Sequence, residues 1–271
     1  MRVTSRNARF QQWAALLDNR AKRQRSGEFI VQGVRPISAA VRNDCKIKAL
    51  LYDEDSAPSA WAREMLDTVS AVRVAMSAEL MHELGGKTDD APELVAVAEL
   101  PPDDLARIPA GAAMLTVVFD RPASPGNLGT LIRSADAFGA SGVIVTGHAA
   151  DVYDPRAVRA TTGSLFSLPV VRAESHRPVL DWAAGLRVGG TGVSLVGTDE
   201  RGDADITEID FTRPTVLLIG NETAGLSAAW REASDRLARI PMLGQASSLN
   251  AAMAASIVLY ESARQRIAAR G

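Results

Sequence analysis

Cysteine is almost missing from this chain: Cys45 stands alone in 271 residues. One thiol can neither close an internal disulfide nor build a thiolate metal cluster, and it suits a reducing compartment. Histidine is scarce as well. His82, His148 and His176 are scattered, and no H-x-E or HExxH spacing occurs, so the pattern argues against metal catalysis and no metal is expected. No serine sits in a G-x-S-x-G elbow, which disfavours a hydrolase triad of that type. No apolar run approaches the roughly 18 residues of a membrane span. The opening Met1-Arg2-Val3-Thr4-Ser5-Arg6 lacks the apolar stretch of a signal peptide. A cytoplasmic protein with no membrane partner is the expectation. Excess charge of one sign is absent too: 30 Lys and Arg face 32 Asp and Glu, a net charge of −2. Any affinity for nucleic acid must therefore come from a local patch.

What is present is a composition, 46% hydrophobic and 23% charged, that can bury a real core in one large or two modest domains. A local basic patch opens the chain. Residues 1–26 carry Arg2, Arg6, Arg9, Arg20, Lys22, Arg23 and Arg25 against the single acid Asp18. Phe10, Trp13, Leu16 and Leu17 recur at helical spacing there. The basic residues form either a solvated helix face or a contact with phosphate backbone. After them, Glu28–Gly33, Ile47–Tyr52, Val72–Ala75 and Leu94–Ala98 read as strands. Arg35–Arg42, Ala60–Asp67 and Ser77–Leu84 read as helices between them. Gly85-Gly86-Lys87-Thr88 ends like a phosphate-binding loop, but Met81 stands where that motif needs glycine, and a helix pattern precedes it. It reads as a helix C-terminal turn.

Leu100-Pro101-Pro102-Asp103-Asp104, followed by Pro109 and Gly111, reads as a linker between domains of 1–106 and 112–271. Beyond it the pattern alternates. Strands are expected at Met114–Phe119, Gly142–Val145, Leu168–Val171, Val193–Val196, Val216–Ile219 and Leu237–Ile240. Helices are expected at Leu128–Phe138, Pro155–Thr162, Val179–Leu186, Ala228–Ser234 and Ala251–Ala269. Such alternation specifies an α/β domain with a mainly parallel sheet covered on both faces, whose ligands bind at the carboxyl ends of strands.

Three stretches could carry chemistry. Ser124-Pro125-Gly126-Asn127-Leu128-Gly129 precedes a helix, with Asn127 placed as its N-cap. Leu128, Leu131, Ile132, Ala135 and Phe138 form the apolar stripe of that helix, and Arg133 points away from it. Gly220-Asn221-Glu222-Thr223-Ala224-Gly225 follows a strand directly. It is not the GxGxxG dinucleotide fingerprint, so a nicotinamide cofactor is disfavoured. Last, Ile240-Pro241-Met242-Leu243-Gly244-Gln245-Ala246-Ser247-Ser248-Leu249-Asn250 runs into the final helix, with Ser248 and Asn250 in its opening turn.

Together, Asn-x-Gly-x-x-x-Arg, a strand ending in Gly-Asn-Glu, and Ile-Pro-Met-x-Gly-x-x-x-Ser-Leu-Asn resemble the SpoU (TrmH-like) branch of the SPOUT RNA methyltransferases. Asp154-Pro155-Arg156-Ala157-Val158-Arg159 and Gly163-Ser164-Leu165-Phe166 also resemble a recurrent segment of that family. The likeness covers essentially the whole C-terminal domain. Residues 20–99 resemble the ribosomal-protein-like (L30e-like) RNA-binding domain that precedes it in many members. Within the branch, the chain is similar to actinobacterial ribosomal-RNA methyltransferases of the avilamycin and thiostrepton resistance type. One departure is Thr223-Ala224, where most relatives carry glycine or another small residue after the glutamate.

This resemblance implies methyl transfer from S-adenosylmethionine to a ribose 2′-hydroxyl of large-subunit ribosomal RNA, or alternatively of transfer RNA. A catalytically silent RNA-binding or assembly factor would be the alternative of another class. It further implies a homodimer and a deep trefoil knot, a rare exception to unknotted topology. By position, Gly197, Thr198, Gly220, Ile240, Met242 and Leu249 would hold the cofactor. Asn127, Arg133, Glu222, Ser248 and Asn250 would lie at the reacting end. Arg20, Lys22, Arg23, Arg25, Arg156 and Arg159 are the expected RNA contacts. The family role for Arg133 is general base. A guanidinium is normally protonated, so binding a phosphate and stabilising alkoxide charge is the less demanding role.

Overall fold

Strands and helices alternate along almost the whole computed structural model, which describes residues 1–85, 91–187 and 190–270. By packing, the chain forms two units, Met1–Pro101 with Asp151–Ser167, and Pro102–Ala150 with Leu168–Gly271. Residues 151–167, which the sequence reading placed within the domain 112–271, thus pack with the first unit.

The first unit begins with β1 (Arg2–Val3), α1 (Ala8–Asp18), α2 (Arg20–Ser26) and β2 (Glu28–Gln32). It continues through α3 (Val34–Arg42), β3 (Ile47–Asp53), α4 (Ala60–Thr68), β4 (Val72–Met76), α5 (Ala78–Gly85) and β5 (Leu94–Glu99). Asn7 caps α1 by accepting the Phe10 N–H at 3.0 Å, and the expected stripe of Phe10, Trp13 and Leu16 is buried. Asn19 caps α2 in the same way through Lys22. Gly27, at φ 65°, ends α2 in the left-handed region. The mixed sheet has the order β1-β4-β3-β5-β2. Its two-residue edge strand β1, too short to leave a periodic signal, pairs with β4. Gly85 closes α5, and Gly86, Lys87 and Thr88 lie outside the described residues.

The second half of the chain runs β6 (Leu115–Asp120), α6 (Pro125–Ala137), β7 (Gly142–Thr146), α7 (Pro155–Ala160), β8 (Val170–Ala173), α8 (His176–Gly185) and β9 (Ser194–Thr198). It ends with β10 (Ala204–Asp205), β11 (Thr215–Ile219), α9 (Ala228–Ala233), β12 (Arg236–Arg239) and α10 (Ala251–Ala268). Of these, only α7 belongs to the first unit. The second unit's sheet has the order β10-β12-β9-β11-β6-β7-β8, and every pairing in it is parallel. β6, β7 and β11 are buried along their full length, as a sheet covered on both faces requires. β6 and β11 are neighbours although distant in sequence, so the loops leaving their carboxyl ends meet. That is where open α/β sheets place ligands.

Helix α6 begins earlier than the sequence pattern indicates. Ser124 is its N-cap and accepts the Asn127 N–H at 3.3 Å, with Pro125 in the first turn. Asn127 is therefore not the cap. It lies in the first turn with its side chain free for other partners.

Helix α10 is fastened at its far end. The Arg266 guanidinium donates to the carbonyls of Phe211 at 2.8 Å, Met114 at 3.0 Å and Arg213 at 3.1 Å, and also to that of Ala113. Gln265 accepts the Phe211 N–H and donates to the Ile209 carbonyl. Nearer its start, Ser134 and Ser256 join α6 to α10 at 2.7 Å. No described helix is long and apolar enough to cross a membrane.

Candidate active site

The carboxyl ends of β9, β11 and β12, with the segment entering α10, enclose a cavity of about 410 Å³. That volume lies within the range of small-molecule sites, about 300–1,000 Å³. Thr198, Gly220, Ile240, Met242 and Leu249 line it, as do Glu222 and Ser248. Gly197 does not. A methyl group there would crowd Leu237, Ser234 and Leu226, so this glycine serves packing beside the cavity. Gly220 is required more directly, because a Cβ would overlap the backbone of Gly225 and Leu226.

Beside the cavity lies a chain of three side chains, from the first turn of α6, the loop after β11 and the N-cap of α10. Asn127 Nδ2 donates to Glu222 Oε1 at 3.0 Å, and Asn250 Nδ2 donates to Asn127 Oδ1 at 3.1 Å. Asn250 Oδ1 accepts the N–H groups of Ala252 and Met253, capping α10 as the sequence suggests. Both ends of this relay dictate its direction. An ionised carboxylate can only accept, and the first N–H groups of a helix can only donate. Each amide therefore has one orientation and keeps one N–H unused by the relay.

Glu222 also accepts the N–H of Ala123 at 2.9 Å and of Ser124 at 3.2 Å. Burial raises the pKa of its carboxyl, but these donors and Asn127 outweigh that, leaving it below the ordinary glutamate range. It is an anion at neutral pH. The Arg133 side chain stands exposed on α6, with neither hydrogen bond nor ion pair among the described residues.

Several wall residues escaped the sequence reading. Asp199 lines the cavity and is ion-paired with Arg231, and Arg201 and Glu200 lie on the same wall. Asn221 holds the turn that carries Glu222, accepting the N–H groups of Thr223 and Ala224 at 2.9 Å each. Its place inside Gly-Asn-Glu, directly after a strand, was a usable signal. The wall residues after β9 follow no motif.

The basic residues expected to meet RNA divide differently. Arg25 and Arg156 are exposed, and Arg20, Lys22 and Arg159 are half-buried. Arg156 grips Asp154, and Arg159 donates to Gln32 Oε1 at 2.6 Å. Arg23 is a correction. It is 2% exposed, pairs with the buried Asp151 at 2.7 Å, and donates to the carbonyls of Leu16 and Leu17. Its charge is consumed inside the first unit and cannot reach a phosphate.

The chain is similar to known proteins along nearly its whole length. Residues 114–260 match the family model described as the SpoU rRNA Methylase family, and residues 7–96 match the SpoU L30e-like domain. The chain is 61% identical over 269 residues to the 23S rRNA (uridine(2479)-2′-O)-methyltransferase of Streptomyces viridochromogenes, covering 99% of this chain and 94% of that one. It is 30% identical over 258 residues to the 23S rRNA (guanosine(2553)-2′-O)-methyltransferase RlmP of Bacillus subtilis, covering 95% and 96%. In structure it is similar to the SpoU methyltransferase AviRb of Streptomyces viridochromogenes in complex with AdoMet. The TM-score is 0.93 at 61% identity, over 97% of this chain and 99% of that one.

Proposed function

Because the chain belongs to the SpoU rRNA methylase family, we propose that it methylates one ribose 2′-hydroxyl of large-subunit ribosomal RNA, with S-adenosylmethionine as methyl donor. The observation that carries this reading is the relay Glu222–Asn127–Asn250 beside a cofactor-sized cavity. It joins all three motif segments at one place.

The cavity residues fit the donor. Gly220 leaves its backbone bare, and Ile240, Met242 and Leu249 offer apolar contact for a purine. Bound there, S-adenosylmethionine supplies a methyl group already made electrophilic by its sulfonium. The protein's tasks are alignment and proton management. The unused N–H groups of Asn127 and Asn250 position the acceptor ribose. Ser248, also on the cavity wall, adds a hydroxyl that can donate or accept. Glu222 remains ionised and holds Asn127 in place instead of abstracting the proton, since a carboxylate with a depressed pKa is a poor base. Arg133, whose side chain has no partner among the described residues, meets the phosphate next to the acceptor and stabilises the developing alkoxide as the hydroxyl proton passes to bulk water. Arg25 and Arg156 hold the RNA backbone.

The working form in this reading is a homodimer with the knotted C-terminal topology of its family. Met253, Ile257 and Tyr260 leave an apolar stripe on α10 that is 56%, 38% and 58% exposed, which supports a second copy as its cover. Protection of the ribosome against an avilamycin-type drug is the expected physiological effect.

Tritiated methyl transfer to purified large-subunit ribosomal RNA and to bulk transfer RNA tests the reading. One alkali-resistant linkage in the ribosomal RNA, lost with Arg133→Ala, is the expected result. Label that stays alkali-sensitive would mean base methylation and would overturn the ribose assignment.

A further inference from the structure

Arg121 belongs to none of the three motif segments, yet it holds the loop that carries Glu222. Its backbone lies in the left-handed region at φ 52°, where a side chain other than glycine is strained. Such strain persists only where surrounding contacts over-determine it. The contacts are present. The Arg121 N–H donates to the Thr146 carbonyl at 3.0 Å. Its guanidinium pairs with Asp120 at 3.0 Å and donates to the Gly225 carbonyl at 3.2 Å. Its own carbonyl accepts Asn221 Nδ2 at 2.7 Å. Asp120 is 4% exposed and is held in turn by the Thr146 hydroxyl and the Ser227 N–H.

Asn221 and Gly225 are the two ends of one loop, and each donates its N–H to the other's carbonyl at 3.0 Å. Arg121 therefore grips both ends, one through its carbonyl and the other through its guanidinium. Between them lie Glu222, Thr223 and Ala224, which line the cavity. Room for the clamp comes from Gly147, where a Cβ would meet Arg121 Cγ at 2.8 Å.

We propose that Arg121 is a positioning residue that clamps the Asn221–Gly225 loop and so sets one wall of the S-adenosylmethionine pocket and the placement of Glu222. This rests on the cofactor reading above. Arg121 touches neither the cavity nor the reacting end, so it acts through the loop alone. Losing it should weaken cofactor binding while leaving RNA affinity in place.

Arg121→Gly is the decisive variant, because glycine relieves the left-handed strain while removing the guanidinium. Arg121→Lys restores a single cationic donor. S-Adenosylmethionine binding by calorimetry, RNA binding and thermal melting are measured on the full chain for wild type and both variants. Because Arg121→Gly leaves the buried Asp120 carboxylate to the Thr146 hydroxyl and the Ser227 N–H, the clamp predicts a lowered melting temperature that still lies above the assay temperature. It also predicts cofactor binding about tenfold or more weaker, RNA affinity unchanged, and partial recovery of both losses in Arg121→Lys. Cofactor binding by Arg121→Gly as tight as wild type overturns the clamp. So does an equal loss of cofactor and RNA binding together with a collapsed melting temperature, which marks a purely structural role. Failure of the wild type itself to bind S-adenosylmethionine overturns the underlying cofactor reading instead.

Discussion

Replacing Arg23 by alanine separates a structural cation from an RNA-contacting one. In the folded chain Arg23 Nε and one terminal nitrogen meet Asp151 Oδ2 at 2.8 and 2.7 Å, and the other terminal nitrogen reaches the Leu16 carbonyl at 2.6 Å. Side-chain exposure is 2% for Arg23 and 7% for Asp151. Truncation leaves the Asp151 carboxylate buried with the Tyr153 N–H as its remaining donor among these contacts. Removing one partner of a buried pair costs about 3–5 kcal/mol. At roughly 2–4 °C per kcal/mol for a chain of this size, the melting temperature should fall by about 6–20 °C. Thermal melting followed by circular dichroism reads this directly. RNA binding well below the transition should be nearly unaffected, whereas Arg25→Ala should lose RNA affinity and keep its stability. Combining Arg23→Met with Asp151→Leu should recover most of the loss, because apolar replacement of both partners removes the uncompensated charge. An Arg23→Ala protein that melts like wild type but releases RNA as readily as Arg25→Ala would refute the reasoning.

Three further outcomes follow from the same geometry. Glu222→Gln sets an amide donor against two donors, and charge-assisted bonds are worth about 1.5–3 kcal/mol each, so cofactor affinity should drop about tenfold or more. Because the folded pKa of Glu222 is depressed, its contribution is complete above the ordinary glutamate range and is lost as pH falls through the lowered value. The variant should flatten that acid limb in a calorimetric pH series, and an unaltered limb would contradict the relay. Arg133→Ala should lower transfer by about a hundredfold or more while binding S-adenosylmethionine like wild type, and persistent transfer would remove Arg133 from the chemistry. Tyr260→Asp with Met253→Asp should shift the sedimenting species from dimer to monomer, and an undisturbed dimer would locate the interface elsewhere.

Periodicity made most of the elements legible. The near-continuous apolar run ending at Phe119 and the stripe Leu128, Leu131, Ile132 and Ala135 each require one kind of element. What escaped was settled by contacts distant in sequence or by local signals read in the wrong order. Asn127 looks like a cap, but Ser124-Pro125 three residues earlier is the stronger helix start. Arg23 sits in a run of solvated cations, and nothing local reveals that its anion lies 128 residues away. Of the site, the motif residues Asn127, Glu222 and Asn250 were readable, and the structure brings those three into one hydrogen-bonded chain. Arg121 was not readable, since a left-handed arginine leaves no pattern.

The distribution of residues 151–167 bears on how the protein is made. The first unit cannot be completed from the first 101 residues, because its buried anion and helix α7 are encoded about 50 residues later. At about 5–20 residues per second, a translating ribosome needs several seconds more to deliver them. During that interval Arg23 lies in a nascent domain without its counter-ion, and final locking of that domain waits on synthesis of the first strands of the other. A protease meets the same arrangement in reverse. A single cut at Pro101-Pro102 would leave 151–167 on the distal fragment yet packed in the proximal fold, so the two pieces should stay together until they are denatured.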